Sequence, residues 1–123
     1  MGEPEDNKMD ALQKALRALE VMFAEKLPGR LLEIEQALNQ YEQNKSDPAA
    51  LNTLYRLLHT MAGSAGTFGF ADVGSAARAL ETRLKPLLSG GVWGDAESSQ
   101  FSSDVRSYLS ASLPGATNQA PSP

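Results

Sequence analysis

Apolar residues recur at helical spacing along almost the whole of this 123-residue chain, and no segment alternates with the period of two that a strand needs. From about Met9 they fall at Leu12, Leu16, Leu19 and Phe23, a 4-3-4 spacing that marks one helical stripe. Leu27, Leu31, Ile34, Leu38 and Tyr41 continue it. Pro28-Gly29 interrupts the run, which predicts two helices or one kinked helix, with Pro28 near the first turn of the second half. Asn44 to Pro48 reads as a loop, and Asp47 followed by Pro48 as a cap residue with proline at the first helical position. The helix begun there runs to about Thr67 and is ended by Gly69. The next uses Val73, Ala76, Ala77, Leu80, Leu84, Leu87 and Leu88 as its apolar face, with Arg78, Glu81, Arg83 and Lys85 outward and Pro86 weakening its last turn. After a glycine-rich loop from Ser89 to Asp95, a last helix buries Phe101, Val105, Tyr108 and Leu109.

The expected fold is therefore all-α: an antiparallel up-down four-helix bundle with an additional short N-terminal helix. The bundle should occupy residues 9–113, between a disordered N-terminal tail at 1–8 and a small, polar, proline-rich tail or interdomain linker at 114–123. Apolar residues at 41% and charged residues at 21% describe a globular domain long enough for a core. The chain has no cysteine, which excludes thiolate chemistry and suits a reducing compartment. A net charge of −4 and the lack of a basic stripe argue against nucleic acid as a partner. No apolar run approaches the ~20 residues that span a bilayer, and the N-terminus has no signal-peptide pattern, so a cytoplasmic protein without membrane association is expected.

His59 is the one histidine, in the run His-Thr-Met-Ala-Gly-Ser-Ala-Gly-Thr-Phe-Gly. At about 100° per residue, Leu54, Leu57, Leu58, Met61, Ala65 and Phe68 share an arc roughly opposite it. Asn52, Tyr55, Arg56, Ala62, Gly63 and Gly66 lie on its own side. Glycine inside a helix costs about 1 kcal/mol relative to alanine. Ala62, Gly63 and Gly66 thus strip bulk from the two turns after the imidazole, where a partner could approach closely. A lone imidazole cannot build a zinc site, and the glycines lack the lysine and preceding strand of a phosphate-binding loop. What remains is the ring as a nucleophile, since a neutral imidazole nitrogen can attack phosphorus near neutral pH.

His-x-x-x-Gly-Ser-x-Gly-x-x-Gly, at His59, Gly63, Ser64, Gly66 and Gly69, resembles the signature of histidine phosphotransfer (HPt) domains of bacterial two-component phosphorelays. The resemblance covers roughly residues 10 to 110, including Phe23-x-x-x-Leu27-Pro28 and Ala77-Arg78-x-Leu80-Glu81. It implies a four-helix bundle and a signal-transduction role in which His59 is the phosphoacceptor. A phosphohistidine on this phosphoprotein would exchange its phosphoryl group with receiver-domain aspartates. It also implies a phosphocarrier rather than an enzyme, with no cofactor of its own. Mg2+ and the catalytic machinery would belong to the partner, a response-regulator receiver domain or a sensor histidine kinase. Many family members carry lysine three residues after the histidine, where this chain has Ala62. Arg56, one turn before His59, and Lys85 are expected to supply phosphate charge, Glu81 to orient the imidazole, and Asn52 and Tyr55 to form part of the docking face. The competing readings are an interaction module that binds a receiver without being phosphorylated, and the dimerising domain of a sensor kinase. The second fits less well, because Thr60 rather than an acidic residue follows the histidine and the chain can close a bundle alone as a monomer.

Overall fold

A computed structural model describes residues 4–113. Four α-helices, α1 (Pro4–Gln43), α2 (Pro48–Ser64), α3 (Ala71–Leu88) and α4 (Asp95–Ser112), run up and down, with one 3-10 turn at Gly66–Phe68. Each helix packs on its neighbour in sequence and α4 returns to α1, closing the ring. The core between them holds Leu27, Leu31, Ile34 and Leu38 from α1, Leu54, Leu58 and Met61 from α2, Leu80 and Leu84 from α3, and Phe101 and Val105 from α4.

The all-α bundle expected from the periodicity is what forms, but the additional short N-terminal helix is not a separate element. It is the first half of α1, which passes through Pro28 without ending and takes residues 4–8, expected as tail, into its first turns. A proline inside a helix costs about 3 kcal/mol. Pro28 sits on the solvent side, while Leu27 and Leu31 beside it are almost fully buried. Burying such side chains contributes roughly 1.5–3 kcal/mol each, enough to carry the helix across. The first half of the apolar stripe behaves differently from the second. Met9, Leu12, Leu16 and Leu19, read as continuous with the core stripe, are 43–55% exposed, and burial begins only at Phe23. The proposed tails at residues 1–3 and 114–123 lie outside the described residues.

The turns are built from local chemistry. The Asp47 side chain accepts from the Ala49 backbone N–H at 3.0 Å, with Pro48 opening α2. α2 ends at Ser64, earlier than Thr67, because the chain tightens into the 3-10 turn. There Gly69 takes φ +92°, its N–H donating to Gly66 O while Phe70 N–H donates to Ala65 O. Gly90, φ +96°, closes α3 the same way, with Gly91 N–H donating to Pro86 O at 2.8 Å. Ala76 and Leu88, expected on the apolar face of α3, are exposed. Arg83 of α3 bridges to Asp104 of α4 at 2.7 Å and lies over the Phe101 ring. With Gln100 it holds the Asp104 carboxyl below the usual carboxylate range.

Candidate phosphoacceptor site

α2 and α3 come into backbone contact where a side chain is missing. A Cβ on Gly74 would come within 3.1 Å of Gly66 N and 3.5 Å of both Ala62 O and the Ala65 Cβ. This contact fixes the antiparallel register of the two helices. Moving away from the Gly66–Gly74 pair, four residues along each helix bring Ala62 opposite Arg78, and three more bring His59 opposite Glu81.

The His59 side chain is 63% exposed while that of Glu81 is only 2% exposed, and Nδ1 of the ring lies 2.7 Å from Oε2 of the carboxylate. An ionised carboxylate only accepts hydrogen bonds, so Nδ1 carries the proton and donates. The lone pair is then on Nε2, the far side of the ring from Glu81. This is the arrangement in which a buried acid sets the tautomer of a nucleophilic or basic imidazole. Tyr55, one turn before His59, stacks on the ring with centroids 5.8 Å apart and planes 17° from parallel. Arg78 closes the site from behind: Nη1 is 3.6 Å from Glu81 Oε1, and Nη2 donates to Ala62 O at 3.3 Å. The described residues contain no cluster of three or more His, Cys, Asp or Glu side chains able to hold a metal, and no helix among them is long and apolar enough to cross a membrane.

An exposed histidine pinned by a buried glutamate on the next helix coincides with a match to a family model, "Hpt domain", over residues 18–111. The chain belongs to the Hpt domain family. A 74-residue stretch is 30% identical to "Chemotaxis protein CheA" of Rhizobium meliloti (strain 1021), 60% of this chain and 10% of that protein. The chain thus spans about a tenth of that relative's length. No solved structure matches it. At this level the chain is a histidine phosphotransfer module.

The residues expected around the site of this Hpt domain do not all take the places expected of them. His59, Asn52 and Arg56 are on the exposed flank of α2, and Gly63 has open space where a Cβ would stand. Glu81, expected to point outward, is buried on the side of α3 that packs on α2, with its carboxylate 2.7 Å from the imidazole. Ala62 is displaced from the reading: at 9% exposure it belongs to the core, where its small side chain lets α3 come close instead of clearing a path for a partner. Gly66 is exposed in the 3-10 turn, beyond the end of α2, and serves the close contact with Gly74. Lys85 is exposed one turn past Glu81, and among the described residues it enters no ion pair. Ser64 returns its hydroxyl to Thr60 O at 2.8 Å and takes no part in the site.

Two contributors were not anticipated. Arg78, read as an outward charge, stands three residues before Glu81 on the same face, a spacing that could have flagged the pair. Gly74 was passed over, although a glycine within a helix near the close-packed turn is a signal of backbone approach.

Proposed function

We propose that His59 accepts a phosphoryl group on Nε2 from a receiver-domain aspartate, and returns it, within a two-component phosphorelay. The observation that carries this is the short Nδ1–Glu81 contact beneath an otherwise exposed ring. In the forward step the Nε2 lone pair forms the N–P bond as the bond from phosphorus to the aspartyl oxygen breaks, and the aspartate leaves as a carboxylate. The ring becomes cationic as it does so, since it keeps the Nδ1 proton, and the Glu81 carboxylate 2.7 Å away offsets that charge. The reverse step returns the phosphoryl group to aspartate and leaves the same neutral tautomer. Phosphoryl transfer asks mainly for positioning and charge compensation, and a rigid bundle face supplies the first.

In this reading the chain is a phosphocarrier, with Mg2+ held by the receiver. Tyr55 and Asn52 form part of the docking face, and Gly63 lets the partner's loop near the ring. Arg56 and Lys85, both exposed on the flanks of the same face, offer positive charge to the incoming phosphoryl group. A sensor histidine kinase could load His59 through the same Nε2.

The test is to mix the protein with phosphorylated receivers and follow radiolabel. Acid-labile, base-stable label should appear on the wild type and be absent from His59→Gln. Glu81→Gln, which keeps the side chain's shape but loses the carboxylate, should slow labelling by about tenfold or more. A wild-type protein that takes no label from any receiver or kinase in the panel overturns the reading.

A further inference from the structure

Glu81 has two oxygens, and the histidine occupies only one. Oε1 faces Nη1 of Arg78 at 3.6 Å, while the other arm of the same guanidinium, Nη2, donates to Ala62 O at 3.3 Å. Ala62 is three residues after His59 on α2. Arg78 therefore joins the acid that holds the ring to the backbone of the helix that carries the ring. The Ala62 carbonyl is among the last four of α2, which have no donor further along the helix, so it is available to a side chain. Guanidinium suits the position, since its planar fork reaches two acceptors from one stem and it stays charged at any working pH.

A terminal carboxylate torsion is broad and roughly two-fold, so an oxygen pair anchored at one end only can swing. With Oε2 on the histidine and the Arg78 guanidinium facing Oε1 at 3.6 Å, each oxygen has its own partner, one a hydrogen bond and the other a charge contact. We propose that Arg78 is a positioning residue of this site, fixing the Glu81 carboxylate and through it the His59 ring as the Nδ1–H tautomer with Nε2 turned outward. The inference rests on His59 being the phosphoacceptor for its functional consequence, but its structural content stands on the contacts alone. Arg78 acts through Glu81.

The chain's single histidine makes the experiment direct, because long-range 1H–15N spectra contain one set of imidazole signals. Spectra are recorded over a pH series and read on the alkaline plateau, where the nitrogen shifts no longer change with pH. Wild type should show the Nδ1–H pattern. Arg78→Gln should move both ring nitrogens toward the averaged pattern of mixed tautomers and slow phosphoryl transfer about tenfold. Arg78→Lys, which keeps the charge but not the fork, should recover part of both losses. A helix cap with no hold on the ring would leave the nitrogen shifts where they were, and that result overturns the proposal whatever the rate. Should Arg78→Gln lower the urea midpoint, Arg78→Met, which keeps the aliphatic stem, is read in its place by the same criterion. The ring spectrum needs no receiver. Failure of wild type to accept label would therefore sink the phosphotransfer reading, while an unchanged ring pattern would sink the role of Arg78.

Discussion

A carboxylate that is almost wholly buried beside an imidazole that is mostly exposed separates two tasks that one side chain could not perform. The acid has the fixed surroundings that setting a tautomer needs, and the imidazole keeps contact with solvent. Their separation by 22 residues on different helices means the pair exists only when the bundle is folded. A second buried polar group lies outside the site and makes stability depend on pH only in the alkaline range. Tyr108 of α4 is 6% exposed, and its hydroxyl meets no hydrogen-bond partner among the described residues. Burial pushes the phenol up to about 12, the Ser112 hydroxyl one turn on offsetting a little without completing a hydrogen bond. Because the folded state holds this proton more tightly than the unfolded chain, the stabilisation is complete below about pH 10 and is lost as pH rises toward 12. Tyr108→Phe should leave neutral-pH stability nearly unchanged and reduce the alkaline loss by on the order of 1–2 kcal/mol after solvent screening, read from urea midpoints at pH 8 and 11.

At the level of helices, the α2–α3 hairpin is the working element, and its register rests on one missing Cβ. Gly74→Ala would place a methyl 3.1 Å from Gly66 N, tight enough that the facing backbone must give by a few tenths of an ångström. Such overpacking costs typically 1–3 kcal/mol, and here the displaced helix carries Glu81. The expected outcome is a lowered thermal midpoint together with slower labelling of His59. Gly63→Ala, with open space at its Cβ, should cost neither stability nor the ring tautomer, and any effect should be confined to receiver binding. The buried face of α2 was legible in the sequence because Leu54, Leu58, Met61 and Ala65 obey one 3.6-residue period, and Asp47-Pro48 announced its start. Glu81 was legible as the partner of His59 because a hairpin closing near Gly69 leaves few residues opposite. The burial of Ala62 and the contacts of Arg78 were not, since both depend on how near α3 comes, which no single-helix projection contains. Residue identity told which face is apolar. It could not tell how close the neighbour lies.

Taken whole, the molecule is a four-membered ring of helices with one member longer than the rest. Pro28 suggested a boundary that α1 ignores, because propensity there yields to the burial of Leu27 and Leu31. Conversely the stripe from Met9 to Leu19 has the right spacing for a core and, among the described residues, no neighbour to make one with. Periodicity reports that a face can be buried, and only the rest of the chain decides whether it is. Residues 8–17 are all exposed, so a chain starting at residue 18 should keep its thermal midpoint to within about 3 °C of the full protein, as followed by circular dichroism. A larger fall would mean that this stretch packs on the bundle after all.

The unbroken α1 has a geometric consequence. Glu20 rests against Gly69 at the α2–α3 turn, and the helix continues as a rod from there to Pro4. The azimuth of that far end about the long axis is thereby locked to the direction in which the imidazole points. One residue inserted ahead of Glu20 would swivel anything fused at Pro4 by about 100° and carry it about 1.5 Å outward. Seven would bring it back to nearly its original heading, about 10 Å farther away.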